Sequence, residues 1–287
     1  MQSLNAPLVP LPAILIEPLV REALLEDLGR AGDLTTDAIV PPNFKAKTVM
    51  AARQEGVVAG LDLAALAFCL IDPAIRFEPL VADGGAVGSG APVAIVEGSA
   101  RGMLTAERVA LNFVSRMSGV ASATARLVTA VKHTQARIVC TRKTTPLLRA
   151  IEKYSVRAGG GANHRFGLDD AVLIKDNHVA VAGSVAEAVR RARLYVGHLV
   201  KIEIEVDTLA QLEEALDVGV DAVLLDNMSL EELKRSVGMI DRRAVSEASG
   251  RVTPETVGGI AETGVDLISV GWLTHSAPIL DIGLDAA

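Results

Sequence analysis

The chain has 287 residues, half of them hydrophobic, with aromatics at only 3% and a formal charge of −7. A chain of this length buries a sizeable core as one large domain or two smaller ones, and its Ala-, Val- and Leu-rich usage is that of an alternating α/β enzyme. An acidic chain so poor in aromatics offers neither the broad basic face nor the stacking platforms that nucleic acid requires.

The N-terminus, MQSLNAPLVPLPAILIEPLV, is apolar but broken by proline, has no cationic start and contains Glu17, so it reads poorly as a signal peptide. No uninterrupted apolar run reaches the length of a membrane span. After a helix over 15–30, GDLTTDAIVPP has the turn chemistry of a loop. TVMAARQ then reads as a strand, LDLAALAFCLI as a helix, and RFEPLVA and PVAIVEG as strands, the last two joined by the glycine-rich GGAVGSGAP. Two helices follow, over 104–117 and in VASATARLVTAVK, so that a smaller α+β domain ends near Ser118. Two cysteines in unrelated contexts, Cys69 and Cys140, provide no disulfide framework or zinc site; each reads as a buried small hydrophobe, and a reducing cytoplasm is the expected compartment.

From there short apolar runs alternate with helical ones. ARIVCT (136–141), AVLIK (171–175), VKIEIEV (200–206), DAVLLD (221–226), RAVSEAS (243–249) and DLISVG (266–271) read as strands. The helices between them follow Ser184, Asp207, Met228 and Val252, opening on Ser or Thr with an acid near the first turn. This alternation predicts βαβ units and a parallel sheet; six strands in one half of the chain favour a closed or nearly closed barrel, although a doubly wound sheet shares the pattern.

One stretch runs against the acidic balance. TRKTTPLLRAIEKYSVRAGGGANHR, from Thr141 to Arg165, holds Arg142, Lys143, Arg149, Lys153, Arg157, His164 and Arg165 against a single acid, Glu152. Arg149, Lys153 and Arg157 recur every fourth residue after Pro146, a good first helical residue, and predict a solvated helix face or one that reaches a neighbouring subunit. Gly159-Gly160-Gly161 is explained by the end of that helix. His178 and His275 are by default ordinary hydrogen-bonded histidines.

The other charges fall where strands end. Arg142 and Lys143 follow the first barrel strand, Lys175 and Asp176 end the second, Glu205 lies near the end of the third, and Asp226 ends the fourth. Ser249-Gly250 and Gly271 close the last two. C-terminal strand ends are the rim on which barrel enzymes build their sites. Arg142, Lys143, His164, Arg165 and Lys175 could hold carboxylate and phosphate oxygens. Glu205 and Asp226 are hard oxygen ligands suited to Mg²⁺, and Ser249, Gly250 and Gly271 could present backbone N–H groups to a terminal phosphate. Together they describe a site for a phosphorylated sugar carrying a diphosphate. In VKIEIEV the alternation of Lys201, Glu203 and Glu205 with Ile202, Ile204 and Val206 is also that of a surface strand.

The run TRKTTP, LRAIEKYSVRAGGGANHRFGLDDAVLIKDNH resembles the signature of the quinolinate phosphoribosyltransferases. Similarity extends to EDLGRAGDLTTDAIVP, TAERVALNFVSRMSGVAS, IEIEV, LLDNM, SEASG and GVDLISVGWLTHS, covering the chain from about Glu26 to Ser276. The resemblance implies an irregular α/β barrel of the type II phosphoribosyltransferases (119–276) and an N-terminal α/β sandwich domain (1–118) completed by the C-terminal tail (277–287). It implies transfer of phosphoribose from phosphoribosyl diphosphate to quinolinate with loss of pyrophosphate and CO₂, giving nicotinate mononucleotide. It further implies a homodimer, with higher oligomers open, in which Arg108 reaches the neighbouring active site. By the same resemblance Arg142, His164, Arg165 and Lys175 hold the quinolinate carboxylates, Lys143 lies between the substrates, and Glu205 and Asp226 lie near ribose and Mg²⁺. Ser249, Gly250 and Gly271 contact the 5′-phosphate, with His275 close to that loop. The chain departs from the family pattern at Leu147, Arg251 and Trp272, where Gly, Gly and Ala are usual, which leaves 5′-phosphate affinity open. Rival expectations are a barrel lyase or decarboxylase using Lys175, a phosphoribosyltransferase for another anionic ring, and a phosphosugar-binding module without catalysis.

Overall fold

A computed structural model describes residues 8–286. The first seven residues, which begin the segment that reads poorly as a signal peptide, and Ala287 lie outside the described residues. The chain divides into two compact units: residues up to Ala125 with Thr145–Gly160 and Ser276 onward, and Arg126–Thr144 with Gly161–His275.

In the first unit, α1 (Ala13–Leu28) buries Ile16, Val20 and Leu24, one residue per turn. The expected loop GDLTTDAIVPP contains a short helix, α2 (Leu34–Ile39), because the Asp33 carboxylate accepts the Thr36 N–H at 3.0 Å and caps it before Pro41 and Pro42 stop it. Then come β1 (Lys45–Ala52), β2 (Gly56–Val57), α3 (Leu61–Ile71), β3 (Arg76–Pro79), β4 (Ala86–Val87), β5 (Pro92–Ser99) and α4 (Ala100–Val131). The two helices expected over 104–132 are this single helix of 32 residues. Gly119 does not break it: a Cβ there would collide with the Pro278 carbonyl oxygen and stand 2.8 Å from Ile279 Cα, so the glycine lets the C-terminal segment lie against the helix. The first unit accordingly runs past Ser118, and Gly119–Ala125, expected in the barrel, belongs to it.

The helix α5 (Arg149–Ala158) corrects a second expectation. It starts after Leu147, which is left-handed at φ 67°, not at Pro146, and its polar residues are not a solvated face: Glu152 is 0% and Lys153 2% exposed, and only Arg157 is exposed among the three spaced cations. The Glu152 carboxylate accepts from Arg116 Nη2 at 2.7 Å, from the Thr145 N–H at 2.9 Å and from the Thr145 hydroxyl at 2.8 Å. Two residues on, the Tyr154 hydroxyl donates to Asp83 at 2.8 Å, and Asp83 also accepts the N–H groups of Gly60 and Leu61 at the start of α3. Glu152 can be buried here because Arg116 and Thr145 supply its partners.

The second unit is the predicted alternation. Its strands are β6 (Arg137–Val139), β7 (Val172–Ile174), β8 (Ile202–Val206), β9 (Ala222–Asp226), β10 (Val245–Ser249) and β11 (Leu267–Ser269). They form a parallel ladder in the order β6-β11-β10-β9-β8-β7. β6 and β7 do not pair; instead Ala162 bridges to Val139 on the outer edge of β6, donating to the Ile138 carbonyl at 2.8 Å, as befits an irregular barrel. Between strands lie α6 (Asp176–Ala182), α7 (Val185–Tyr195), α8 (Leu209–Val218), α9 (Leu230–Ile240), α10 (Val257–Ala261) and α11 (Trp272–His275). The hydroxyls of Ser184, Thr208 and Ser229 cap α7, α8 and α9, the last two with reciprocal Gln211 and Glu232.

After the barrel the chain returns to the first unit. β12 (Ile282–Ala286) pairs antiparallel with β1, from Thr48↔Ala286 to Ala52↔Ile282, and completes the sheet β12-β1-β5-β3.

Candidate active site

Parallel register arranges the barrel side chains in layers. Glu205, Leu224 and Glu247 stand side by side on β8, β9 and β10, and two residues further on Asp226 stands beside Ser249. Successive residues on a strand point to opposite faces, so Glu203 shares the face of Glu205. The outcome is a cavity of about 380 Å³ lined by Thr141, Arg142, Lys143, His164, Arg165, Leu173, Lys175, Glu205, Leu224, Asp226, Glu247, Ser249 and Ser269. Eight of the residues predicted from strand ends and from the basic stretch are thus brought together: Arg142, Lys143, His164, Arg165, Lys175, Glu205, Asp226 and Ser249.

Opposite charges are interleaved around it. Lys175 Nζ lies 2.6 Å from Glu205 Oε2. His164 Nε2 lies 2.8 Å from Glu203 Oε2 and 3.7 Å from Glu247 Oε1. Burial, then the neighbouring Arg142 guanidinium, holds Arg165 below the usual arginine range, while Asp170 and Glu203 oppose the shift. Glu247, 1% exposed, has its carboxyl pushed up to about 7 by burial and by Glu203, against the pull of His164. Among the described residues, the buried side-chain nitrogen and oxygen atoms without a hydrogen-bond partner are Arg142 Nε, Arg165 Nε and Glu247 Oε1, and all three residues line this cavity.

The other predicted residues lie outside this lining. Gly271 adjoins it: a Cβ there would stand 3.0 Å from Lys143 Cδ and 3.7 Å from His275 Nε2, and the Thr274 hydroxyl donates to the Lys143 carbonyl at 2.9 Å. Gly250 is left-handed at φ 107°, and a side chain on it would collide with the Asn227 amide; Asn227 Nδ2 in turn donates to Asp226 Oδ2 at 2.5 Å. Arg108 is exposed on α4 in the first unit.

Two of the three departures from the family pattern have a backbone reason to be noticed. Leu147 and Arg251 both occupy positive φ, 67° and 47°, where glycine carries no steric cost. Trp272 donates its indole N–H to the Val252 carbonyl at 2.9 Å, tying the start of α11 to the loop that carries Arg251.

Sequence reasoning passed over Thr141, Leu173, Glu203, Leu224, Glu247 and Ser269. The signal for the two acids was period-2 spacing: Glu203 precedes Glu205 by two residues and Glu247 precedes Ser249 by two, so each shares a strand face with a residue already singled out. Alternation alone reads equally well as a solvated strand, and only the closing sheet turns that face inward.

Residues 33–118 match the family described as the N-terminal domain of quinolinate phosphoribosyl transferase, and residues 120–285 match its C-terminal domain. The chain is 46% identical over 271 residues to the nicotinate-nucleotide pyrophosphorylase [carboxylating] of Mycobacterium leprae, covering 93% of this chain and 95% of that protein. It is 39% identical over 291 residues to a mitochondrial quinolinate phosphoribosyltransferase [decarboxylating] of Nicotiana tabacum, covering 95% and 82%. Its structure superposes on the crystal structure of NadC from Streptococcus pyogenes with a TM-score of 0.93 at 42% identity, over 97% of this chain and 99% of that one. The chain belongs to the quinolinate phosphoribosyltransferase family.

Proposed function

We infer that this chain is a pentosyltransferase that moves phosphoribose from phosphoribosyl diphosphate to the ring nitrogen of quinolinate, releasing pyrophosphate and CO₂ and yielding nicotinate mononucleotide for NAD biosynthesis. The observation that carries this reading is the convergence of five basic side chains on one cavity in which two buried arginine Nε groups have no partner from the protein. Quinolinate is a dianion and phosphoribosyl diphosphate carries further negative charge. Without these cations the two would repel strongly in so enclosed a space.

The chemistry asks for placement more than for acid–base work. The pyridine nitrogen already bears a lone pair, so attack on C1′ needs alignment and stabilisation of the departing diphosphate. In this reading Arg142, His164, Arg165 and Lys175 hold the two carboxylates, and Lys143 bridges the substrates. Glu205 restrains Lys175 through their ion pair. Ser249, Gly250 and Gly271, with His275 beside them, hold the terminal phosphate. Loss of CO₂ is then favoured because the new positive charge on nitrogen stabilises the electron pair left on the adjacent carbon.

Glu205 and Asp226 suit a hard cation. They lie on neighbouring strands at the cavity, and one oxygen of each is oriented by Lys175 and by Asn227. When bound there, Mg²⁺ would supply charge neutralisation of the diphosphate. Activity lost on chelation and restored by Mg²⁺, but not by K⁺, would support this assignment.

Arg108 is exposed and available to a second copy of the chain, and we place it in a partner's active site. Mixing Arg108→Ala with Lys143→Ala chains should then recover part of the activity that each has lost; mixed dimers without recovery would remove Arg108 from that role. We place the enzyme in the cytoplasm, a reading supported by its two free cysteines, Cys69 and Cys140, although Cys69 proves exposed, not buried. Among the described residues no helix is long and apolar enough to cross a membrane.

Purified chain given quinolinate, phosphoribosyl diphosphate and Mg²⁺ should form nicotinate mononucleotide, pyrophosphate and CO₂ in equal amounts. Equal use of nicotinate would point instead to another ring substrate. Borohydride trapping of substrate on Lys175 would point to the lyase, which the 2.6 Å contact of Nζ with Glu205 disfavours, because a Schiff-base lysine needs its lone pair.

A further inference from the structure

Lys143 is exposed, and a flexible stem carries the charge assigned above to the gap between the two substrates. It lies beyond Val139, the last residue of β6, and so outside the strand ladder. Its backbone groups need partners of another kind. Two hydroxyls supply them. The Lys143 N–H donates to Thr141 Oγ1 at 3.0 Å, and the Lys143 carbonyl accepts from Thr274 Oγ1 at 2.9 Å. Thr274 belongs to α11, which follows β11, and β11 pairs in parallel with β6 from Leu267↔Arg137 to Ser269↔Val139. The two segments therefore leave neighbouring strands side by side.

Resting on the reaction proposed above, we propose that Thr274 is a positioning residue for Lys143, acting through the Lys143 carbonyl and joining it to the strand end that carries Gly271. Thr274 is 0% exposed, and a hydroxyl so enclosed needs an acceptor. A threonine on a helix commonly donates to the carbonyl three residues back, and the Gly271 oxygen does lie 3.1 Å away. The Lys143 oxygen is the nearer of the two, so one hydroxyl spans both segments. The Lys143 side chain follows the same line. A Cβ on Gly271 would stand 3.0 Å from Lys143 Cδ, so the stem runs against the glycine whose carbonyl is the second acceptor.

Lys143 is thus set from three sides: its N–H by Thr141, its carbonyl by Thr274 and its stem by Gly271. Freed of Thr274, the Lys143 peptide can turn and carry the ammonium out of line. A misplacement of about 1 Å in a positioned group costs up to about 10²-fold in rate. The loss falls on turnover, because the charge remains in the site but no longer meets the departing diphosphate squarely.

The test is a double-mutant cycle in the full-length enzyme with quinolinate, phosphoribosyl diphosphate and Mg²⁺. A parent chain that makes no nicotinate mononucleotide overturns the reaction reading, and this proposal with it; a parent that makes it leaves only Thr274 at stake. Thr274→Val, of similar shape without the donor, should lower kcat about 10-fold with little change in the KM for quinolinate. Thr274→Ser should restore kcat to within about threefold of the parent. In chains already carrying Lys143→Ala, assayed at high enzyme concentration, Thr274→Val should slow the residual turnover less than about twofold, because the group it positions is gone. A merely structural role would slow both backgrounds alike. A loss of about tenfold in the Lys143→Ala background, or parent-like kcat in Thr274→Val, would therefore overturn the proposal. Should Thr274→Val not fold, Thr274→Ala, which asks for no extra room, takes its place in the cycle with the same expectations.

Discussion

The two units treat buried charge in opposite ways. In the first, Glu152 is wholly enclosed yet has Arg116 and both donors of Thr145 around it, and Asp83 satisfies Tyr154 together with the start of α3. In the second, Arg142, Arg165 and Glu247 each bury an atom with no partner, around a single cavity. An unpaired buried polar atom costs about 1–3 kcal/mol, so such groups persist where another molecule completes them. The first unit's network is completed by the protein itself; the second unit's network leaves unpartnered atoms, as the proposed function requires of a site that a ligand completes.

That contrast can be broken at several places. Arg142→Ala should reduce kcat/KM for quinolinate by about 10³-fold, as expected when one partner of a desolvated charge pair is lost, while thermal unfolding changes little. Lys175→Ala should behave similarly in steady-state kinetics. Glu152→Ala is the reverse experiment: it strands the Arg116 guanidinium, should cost about 3–5 kcal/mol in a denaturant titration, and should lower kcat of the folded fraction far less than Arg142→Ala does. If the two variants showed the same profile, the distinction between the units would not hold.

A smaller effect concerns pH. The folded-state pKa of Glu247 lies above its unfolded value of 4.5, so its unfavourable burial is absent below that pH and develops as pH rises through about 7. The shift amounts to about 3 kcal/mol at alkaline pH. Glu247→Gln should therefore melt higher than the parent at pH 8 and equal to it at pH 4.5; a constant difference across that range would mean that the carboxyl is not perturbed. Smallest of all, Trp272→Phe removes the donor to the Val252 carbonyl, which should cost about 1 kcal/mol and raise the KM for phosphoribosyl diphosphate a few-fold without affecting that for quinolinate.

How much of this was legible beforehand depended on whether the governing interaction was local. The barrel strands were legible because each is a short apolar run closed by a polar residue, and Ser184, Thr208 and Ser229 mark helix starts by chemistry confined to one turn. α4 was read as two helices because the reason for a glycine inside it, at Gly119, is a carbonyl from Pro278, far along the chain. The α5 face was misread as solvated because an interaction that encloses it is not local: Arg116, which pairs with the buried Glu152, comes from another helix. The cavity cations stood out as an excess against an acidic background, whereas Glu203 and Glu247 did not, since an acid on a strand declares its direction only once the sheet curves around it.

The most direct measurement is equilibrium binding of quinolinate and of nicotinate, by calorimetry, to the parent chain and to Arg142→Ala. A cavity built to complete its unpaired cations with a dianion should bind quinolinate at least about 100-fold more tightly than nicotinate, a difference of about 2.7 kcal/mol, and Arg142→Ala should remove most of that preference. Equal affinity of the parent for the two rings would contradict the account.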